Sequence, residues 1–143
     1  MARYGIGISK TTGAAAGLLA QIRAGAARDL RIWEVGVFAS SAVSGTVGLI
    51  RPSAVGATFT SSGVGAAEDN AAGAGVAVVD IAATTAPTIA ANYLRRIVLP
   101  GSIGAGVIWT FPAGINVPVS SSLALWQISA AAVTYETYWV YEE

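Results

Sequence analysis

The chain contains no cysteine and no histidine. The first absence excludes disulfides and thiolate metal sites. The second removes the commonest general base, the commonest metal ligand and the usual switch near neutral pH. Charge is scarce as well. Eight basic and eight acidic residues give a formal net charge of zero, and charged residues make up 11% of the 143 positions, against about 25% in ordinary soluble domains. A neutral chain with a pI near 6.2 lacks the basic stripe of a nucleic-acid binder. Long apolar runs are missing too. A membrane-crossing helix needs about 20 consecutive apolar residues, and the best stretch, residues 71–91, is broken by Asp80, Thr84, Thr85 and Pro87. Residues 13–20 imitate the apolar part of a secretory leader. They follow an alternating Tyr4, Ile6, Ile8 run and hold two glycines, so they read as folded chain and not as a leader.

What is present is apolar and small. Hydrophobic residues make up 54% of the chain. A chain of this length fits one domain, residues 1–143, and buries roughly 68–70% of its unfolded surface. So few charges cover a monomer's surface poorly. Burial of surface against other subunits is the expected explanation. One lysine stands against seven arginines, a bias that carries no functional information.

Segments of strand character recur between Gly, Ser, Pro and Ala. They lie at residues 4–10, 18–24, 30–39, 45–51, 76–83, 92–99, 106–111, 121–129 and 134–142. In the third, Leu30, Ile32 and Phe38 are expected on one face and Trp33, Val35 and Val37 on the other. The last two segments are expected to form a hairpin turning at residues 130–133. Residues 52–75, rich in Gly, Ala, Ser and Thr, predict a long surface loop with room for a short strand around Thr58 and Phe59. No long helix is expected. The fold class that follows is all-β, a single jelly-roll β-sandwich of about eight or nine antiparallel strands.

Few motifs suggest chemistry. The start, Gly5-Ile6-Gly7-Ile8-Ser9-Lys10-Thr11-Thr12, faintly resembles a phosphate loop. Ser9 occupies the position before the lysine where that loop needs glycine, and no strand can precede Gly5. Gly101-Ser102-Ile103-Gly104-Ala105-Gly106 has its glycines in the reverse of dinucleotide spacing, and a strand follows instead of a helix, so it reads as a turn. Glu68, Asp69 and Asn70 could offer oxygen ligands, but calcium needs about six to eight oxygens, and a solvated acidic cluster is the simpler reading. The chain end, Glu142 and Glu143, is expected in solvent. No catalytic residue, metal site or cofactor is expected.

Glu34 stands out because it lies between Trp33 and Val35 in an apolar strand. A buried carboxylate needs a partner. Arg95 and Arg96 are adjacent in a strand, so they point to opposite faces, and one of them is expected to pair with Glu34, within a subunit or between subunits. The aromatics Trp109, Phe111, Trp126, Tyr135, Tyr138, Trp139 and Tyr141 complete the candidate set. In the last strand Tyr135, Thr137, Trp139 and Tyr141 share one face, and Tyr138 and Val140 the other. Core is the first reading for these rings, subunit interface the second, and a ligand platform the third.

The C-terminal half carries a resemblance. Leu94-Arg95-Arg96-Ile97-Val98-Leu99-Pro100, then Ile103-Gly104-Ala105-Gly106-Val107-Ile108-Trp109-Thr110-Phe111-Pro112, then Val117-Pro118 before Ser121-Ser122-Leu123-Ala124-Leu125-Trp126, is similar to small jelly-roll proteins of tailed bacteriophages. Ile32-Trp33-Glu34-Val35-Gly36-Val37-Phe38 and Gly48-Leu49-Ile50-Arg51-Pro52 resemble them too. The likeness covers most of the chain outside residues 52–75 and rests on framework residues. It implies a tumour-necrosis-factor-like jelly roll that trimerises. It further implies a non-enzymatic decoration, or cement, protein that binds the major capsid protein on the outer surface of the virion. The family transfers no catalytic residues. Residues 1–13 or 52–75 are expected to supply the capsid contact. The competing reading is a trimeric receptor- or carbohydrate-binding head. No nucleic-acid or membrane partner is expected.

Overall fold

The computed structural model describes residues 2–69, 71–129 and 131–143. Among them lie eleven strands and no helix: β1 (Arg3–Thr11), β2 (Gly17–Arg23), β3 (Leu30–Ala39), β4 (Gly45–Ile50), β5 (Ala57–Val64), β6 (Ala66–Ala67), β7 (Val78–Thr85), β8 (Arg95–Leu99), β9 (Gly106–Val117), β10 (Ser122–Gln127) and β11 (Thr134–Glu142). They form two antiparallel sheets packed as a β-sandwich, in the orders β6-β1-β11-β3-β9 and β5-β7-β2-β10-β4-β8. The pairing of eight strands is nested. β1 pairs with β11, β2 with β10, β3 with β9 and β4 with β8. The three strands from the insertion between β4 and β8 sit at the margins of the sheets.

The core follows from strand alternation. Tyr135, Thr137, Trp139 and Tyr141 are all buried along β11, while the residues between them face outward. They meet Leu19, Ile22, Leu49, Leu123 and Leu125 of the opposite sheet. Such packing of two apolar faces is what makes a sandwich stable.

Several expectations require correction. Eleven strands replace eight or nine, because residues 52–75 hold β5, which covers the short strand expected around Thr58 and Phe59, and also β6. β5 is almost wholly exposed. It is recruited by main-chain pairing with β7, a force that leaves no apolar pattern in sequence. The expected C-terminal hairpin does not form. β10 lies between β2 and β4, whereas β11 lies in the other sheet between β1 and β3. Both strands are central, and local alternation cannot tell a hairpin from a crossing between sheets. Ala130 of that turn, Asn70 of the acidic cluster and Met1 lie outside the described residues.

The faces of β3 also differ from expectation. Opposite β11 a bulge lies between Ile32 and Glu34, leaving Trp33 as the extra residue. Leu30 and Ile32 therefore share the core side with Val35 and Val37, and Phe38 faces outward. A bulge adds one residue on one strand and so reverses the alternation beyond it. Pro112 does not end β9, which continues to Val117. It sits where pairing with β3 skips from Thr110 to Ile115, on an edge strand that tolerates proline. Residues 3–11 pair along their length with β11, and Tyr4 and Gly5 also pair with β6.

Candidate assembly surface

The outer face of the five-stranded sheet brings together several of the singled-out residues. The registers place Gly5, Val140, Glu34 and Thr110 in one row, and Gly7, Tyr138, Gly36 and Ile108 in the next. Ser9, Glu136, Phe38 and Gly106 form a third row. The rings lie over glycines. A Cβ added at Gly36 would overlap the Tyr138 ring, and one at Gly106 would overlap Phe38. The result is a low, largely apolar surface, with Ile108 about half exposed.

Besides Glu142, which Arg3 pairs at 3.6 Å in a row that also holds Arg31, two carboxylates stand on this face. Tyr138 Oη donates to Glu34 Oε1 at 2.6 Å. Burial first, then the bond to Glu34 and its charge, push the Tyr138 hydroxyl up to about 12. Ser9 Oγ donates to Glu136 Oε1 at 2.7 Å. Among the described residues neither carboxylate has a basic partner. Beside Glu34 runs a groove of about 420 Å³ lined by Arg3, Trp33, Glu34, Glu68, Thr110, Phe111, Pro112 and Val140. Arg3 lies 5.8 Å and Arg31 6.0 Å from the Trp33 ring centroid. Cation–π contacts of this kind occupy ring surface.

The expected pairing of Glu34 with Arg95 or Arg96 within the chain is absent. Both arginines sit on β8, at the edge of the other sheet. Arg95 lies 5.6 Å from the Phe111 ring centroid and donates to the carbonyl of Leu94 at 2.8 Å. Arg96 is exposed. Of the other candidates, Tyr135, Trp139 and Tyr141 are core and Phe111 is nearly so. Trp109 packs half-buried against the core from edge strand β9. Trp126 is half-buried on β10, on the side opposite the core-facing Leu125 and Gln127.

A second surface emerges only from the fold. Strand direction and register gather loops 12–16, 40–44, 100–105 and 128–133 at one pole of the sandwich. Not one of these residues is charged. Ile103, at 73% exposure, and Val43 project there. The loops are knitted from beneath. Gln127 is fully buried, and its Nε2 donates to the carbonyls of Gly13 (3.1 Å), Ala15 (3.4 Å) and Ala131 (2.6 Å). Thr12 Oγ1 donates to Gln127 Oε1, and the Thr12 N–H donates to Val133 O at 2.9 Å. Gln127 was not among the expected functional residues. Its one sequence signal is an amide at a core-facing position of an apolar strand.

Several of the remaining polar groups are held by partners. Lys10, the sole lysine, reaches across the sandwich to the carbonyls of Leu18 (2.8 Å) and Ile81, and burial lowers its ammonium below the usual value. Asp80 is buried against Arg23 and Gln21, and Arg23 lies 4.0 Å from the Phe59 ring centroid. Glu68 is taken up by Arg3 at 4.0 Å, and Asp69 Oδ1 by the N–H of Ala71 at 2.9 Å. Glu143 is buried and not solvated as expected. Its carboxylate accepts from the N–H groups of Val76 and Ala77. No protein-family model matches the chain, and no curated protein matches its sequence.

Proposed function

We propose that this protein is a non-enzymatic, homotrimeric jelly-roll protein that decorates and stabilises the outer surface of a bacteriophage capsid. The nested pairing of β1–β4 with β11–β8 supports the jelly-roll part, since two interlocked Greek keys generate that order. The observation that carries the assembly reading is the charge-free pole. A solvated monomer has no use for four converging loops without one charge. A surface that docks on a particle does, because burying an unpaired charge is costly. Two of these loops, 12–16 and 128–133, are also held in place by Gln127 and Thr12, so less ordering entropy is lost on docking.

In a cyclic trimer whose axis runs along the strands, three such poles point the same way. Three individually weak contacts then act together. The receptor- or carbohydrate-binding reading ranks second, since its natural platform, Trp33, already carries two guanidinium groups.

The test begins with native mass by size exclusion and light scattering, where three times 14.4 kDa is expected. Purified protein is then added to undecorated capsids. Saturable binding that raises capsid thermal stability supports the proposal. A protein that neither trimerises nor binds capsids overturns it.

A further inference from the structure

The outer face of the six-stranded sheet is finished differently from that of its partner. Its strands hold one acid, Asp80, which is fully buried and paired with Arg23. Residues 51–56, which leave β4, and 86–94, which lead into β8, hold none. Trp126, Gly48 and Arg96 stand in one register row. Their neighbours Leu125, Val47, Leu49 and Ile97 face the core, so this row faces outward. Gly48 has no side chain, and the Tyr93 ring takes the place; a Cβ added there would overlap it. The next residue, Leu94, is tied down by its N–H, which donates to Leu49 O at 2.8 Å. Trp126 and Tyr93 are both half-buried, and Arg96 is exposed. With neighbouring strands about 4.8 Å apart, the row spans roughly 10 Å. Among the described residues no guanidinium lies over either ring, and no carboxylate reaches Arg96.

We propose that this row binds an acidic saccharide, with the sugar ring laid on Trp126 and Tyr93 and its carboxylate held by Arg96. A sugar ring presents a face rich in C–H groups and a hydroxylated rim, which match aromatic rings flanked by polar groups. A planar guanidinium takes a carboxylate through two parallel hydrogen bonds. The lack of any acid around the row lets an anion approach without repulsion. A nucleic acid would stack on the same rings, but it needs a basic groove that tracks its phosphates, and this row holds one guanidinium. The site is on the sheet opposite Trp33. It is a binding activity beyond decoration and does not rest on trimer formation or capsid attachment.

The test applies the purified full chain to an array of uronate- and sialate-bearing glycans, their neutral counterparts and a single-stranded oligo-dT, and then titrates the best ligand by calorimetry. The wild type is expected to prefer acidic glycans. Trp126→Ala should weaken binding by about tenfold or more. Arg96→Gln should weaken the acidic glycan by about tenfold and leave any binding of its neutral counterpart unchanged, a split that a structural role alone would not produce. Gly48→Ala, which displaces Tyr93 without touching the sugar, should weaken both. Far-UV circular dichroism confirms that each variant keeps its strands, and the exposed Arg96 keeps the test decisive if Trp126→Ala unfolds. Failure of the wild type to bind any acidic glycan at millimolar concentration overturns the proposal. So does an Arg96→Gln variant that binds like the wild type, or tighter binding of the oligo-dT. Native mass and capsid binding are read separately, so either reading can fail alone.

Discussion

The two poles of the sandwich are built from the same strands yet finished in opposite ways. At one pole, loops 12–16, 40–44, 100–105 and 128–133 carry no charge; Gln127 and Thr12 tie down the first and the last, and main-chain bonds to Ala39 hold 100–105. At the other, Arg3 bridges Glu68 and Glu142, and Asp29 Oδ1 accepts from the N–H of Val119 at 2.9 Å. The insertion between β5 and β7 is clamped there by Tyr141 Oη, which accepts from Gly65 N–H at 3.1 Å, by Tyr4 Oη on the carbonyl of Gly73 at 3.2 Å, and by Glu143. The difference teaches where the scarcity of charge matters. Few charges in a chain do not make a uniformly bland surface. Here they leave one end bare and stable, and keep the other solvated.

Putting a charge on the bare pole should have the largest effect. Ile103→Asp is expected to leave folding stability within about 0.5 kcal/mol, because the side chain is exposed. Each docked copy should lose roughly 1.4 kcal/mol, a factor of about ten. Three copies acting together then weaken capsid attachment about a thousandfold. Cosedimentation with undecorated capsids measures this. Wild-type binding by Ile103→Asp would show that the bare pole is not the docking surface.

Unpinning the same pole from beneath should come next. Gln127→Leu leaves the carbonyls of Gly13, Ala15 and Ala131 without their donor, at a cost of about 3 kcal/mol. The urea midpoint should fall accordingly, and a midpoint within error of wild type would show that the amide is dispensable.

The charged pole should respond more weakly to a comparable cut. Glu143→Ala frees the N–H groups of Val76 and Ala77. The insertion can open to water, so about 1–2 kcal/mol is expected. Limited proteolysis should speed up within residues 64–77 and not within 100–105. Faster cleavage at 100–105 would mean that the two poles are not independent.

Alkaline pH should give the smallest effect. Burial is the main cause that pushes Tyr138 and Tyr141 up to about 12 from an ordinary value of 10.0. A hydroxyl with a raised folded value binds its proton more tightly in the native state. Its contribution is intact below pH about 10 and is lost as pH rises toward 12. The Tyr141→Phe variant should show a shallower loss of stability over that window. An unchanged slope would mean that Tyr141 ionises alike in both states.

Much of the framework was readable from local pattern. The alternation along β11 identifies Tyr135, Trp139 and Tyr141 as sharing one face, and all three are buried. The same logic failed at β3, where the extra residue at Trp33 reverses the faces and puts Phe38 outside. At β5 the short strand expected around Thr58 and Phe59 runs from Ala57 to Val64, an exposed edge held by main-chain bonds. Of the candidate set, Glu34 and Tyr138 were recognised separately, but not as bonded to each other across strands 104 positions apart. Gln127 and Glu143 were missed because an isolated amide and a terminal acid look solvated until the groups they bind are brought to them.

The sequence by itself determined that the chain is all-β, that it holds neither histidine nor cysteine, and that its surface would be poor in charge. It did so because side-chain alternation and composition are local properties. Tertiary structure alone decided that four uncharged loops meet at one pole, and that Glu34 and Arg96 stand on different sheets. Strand pairing is a contact between distant segments, and no local period records which partner a strand will take.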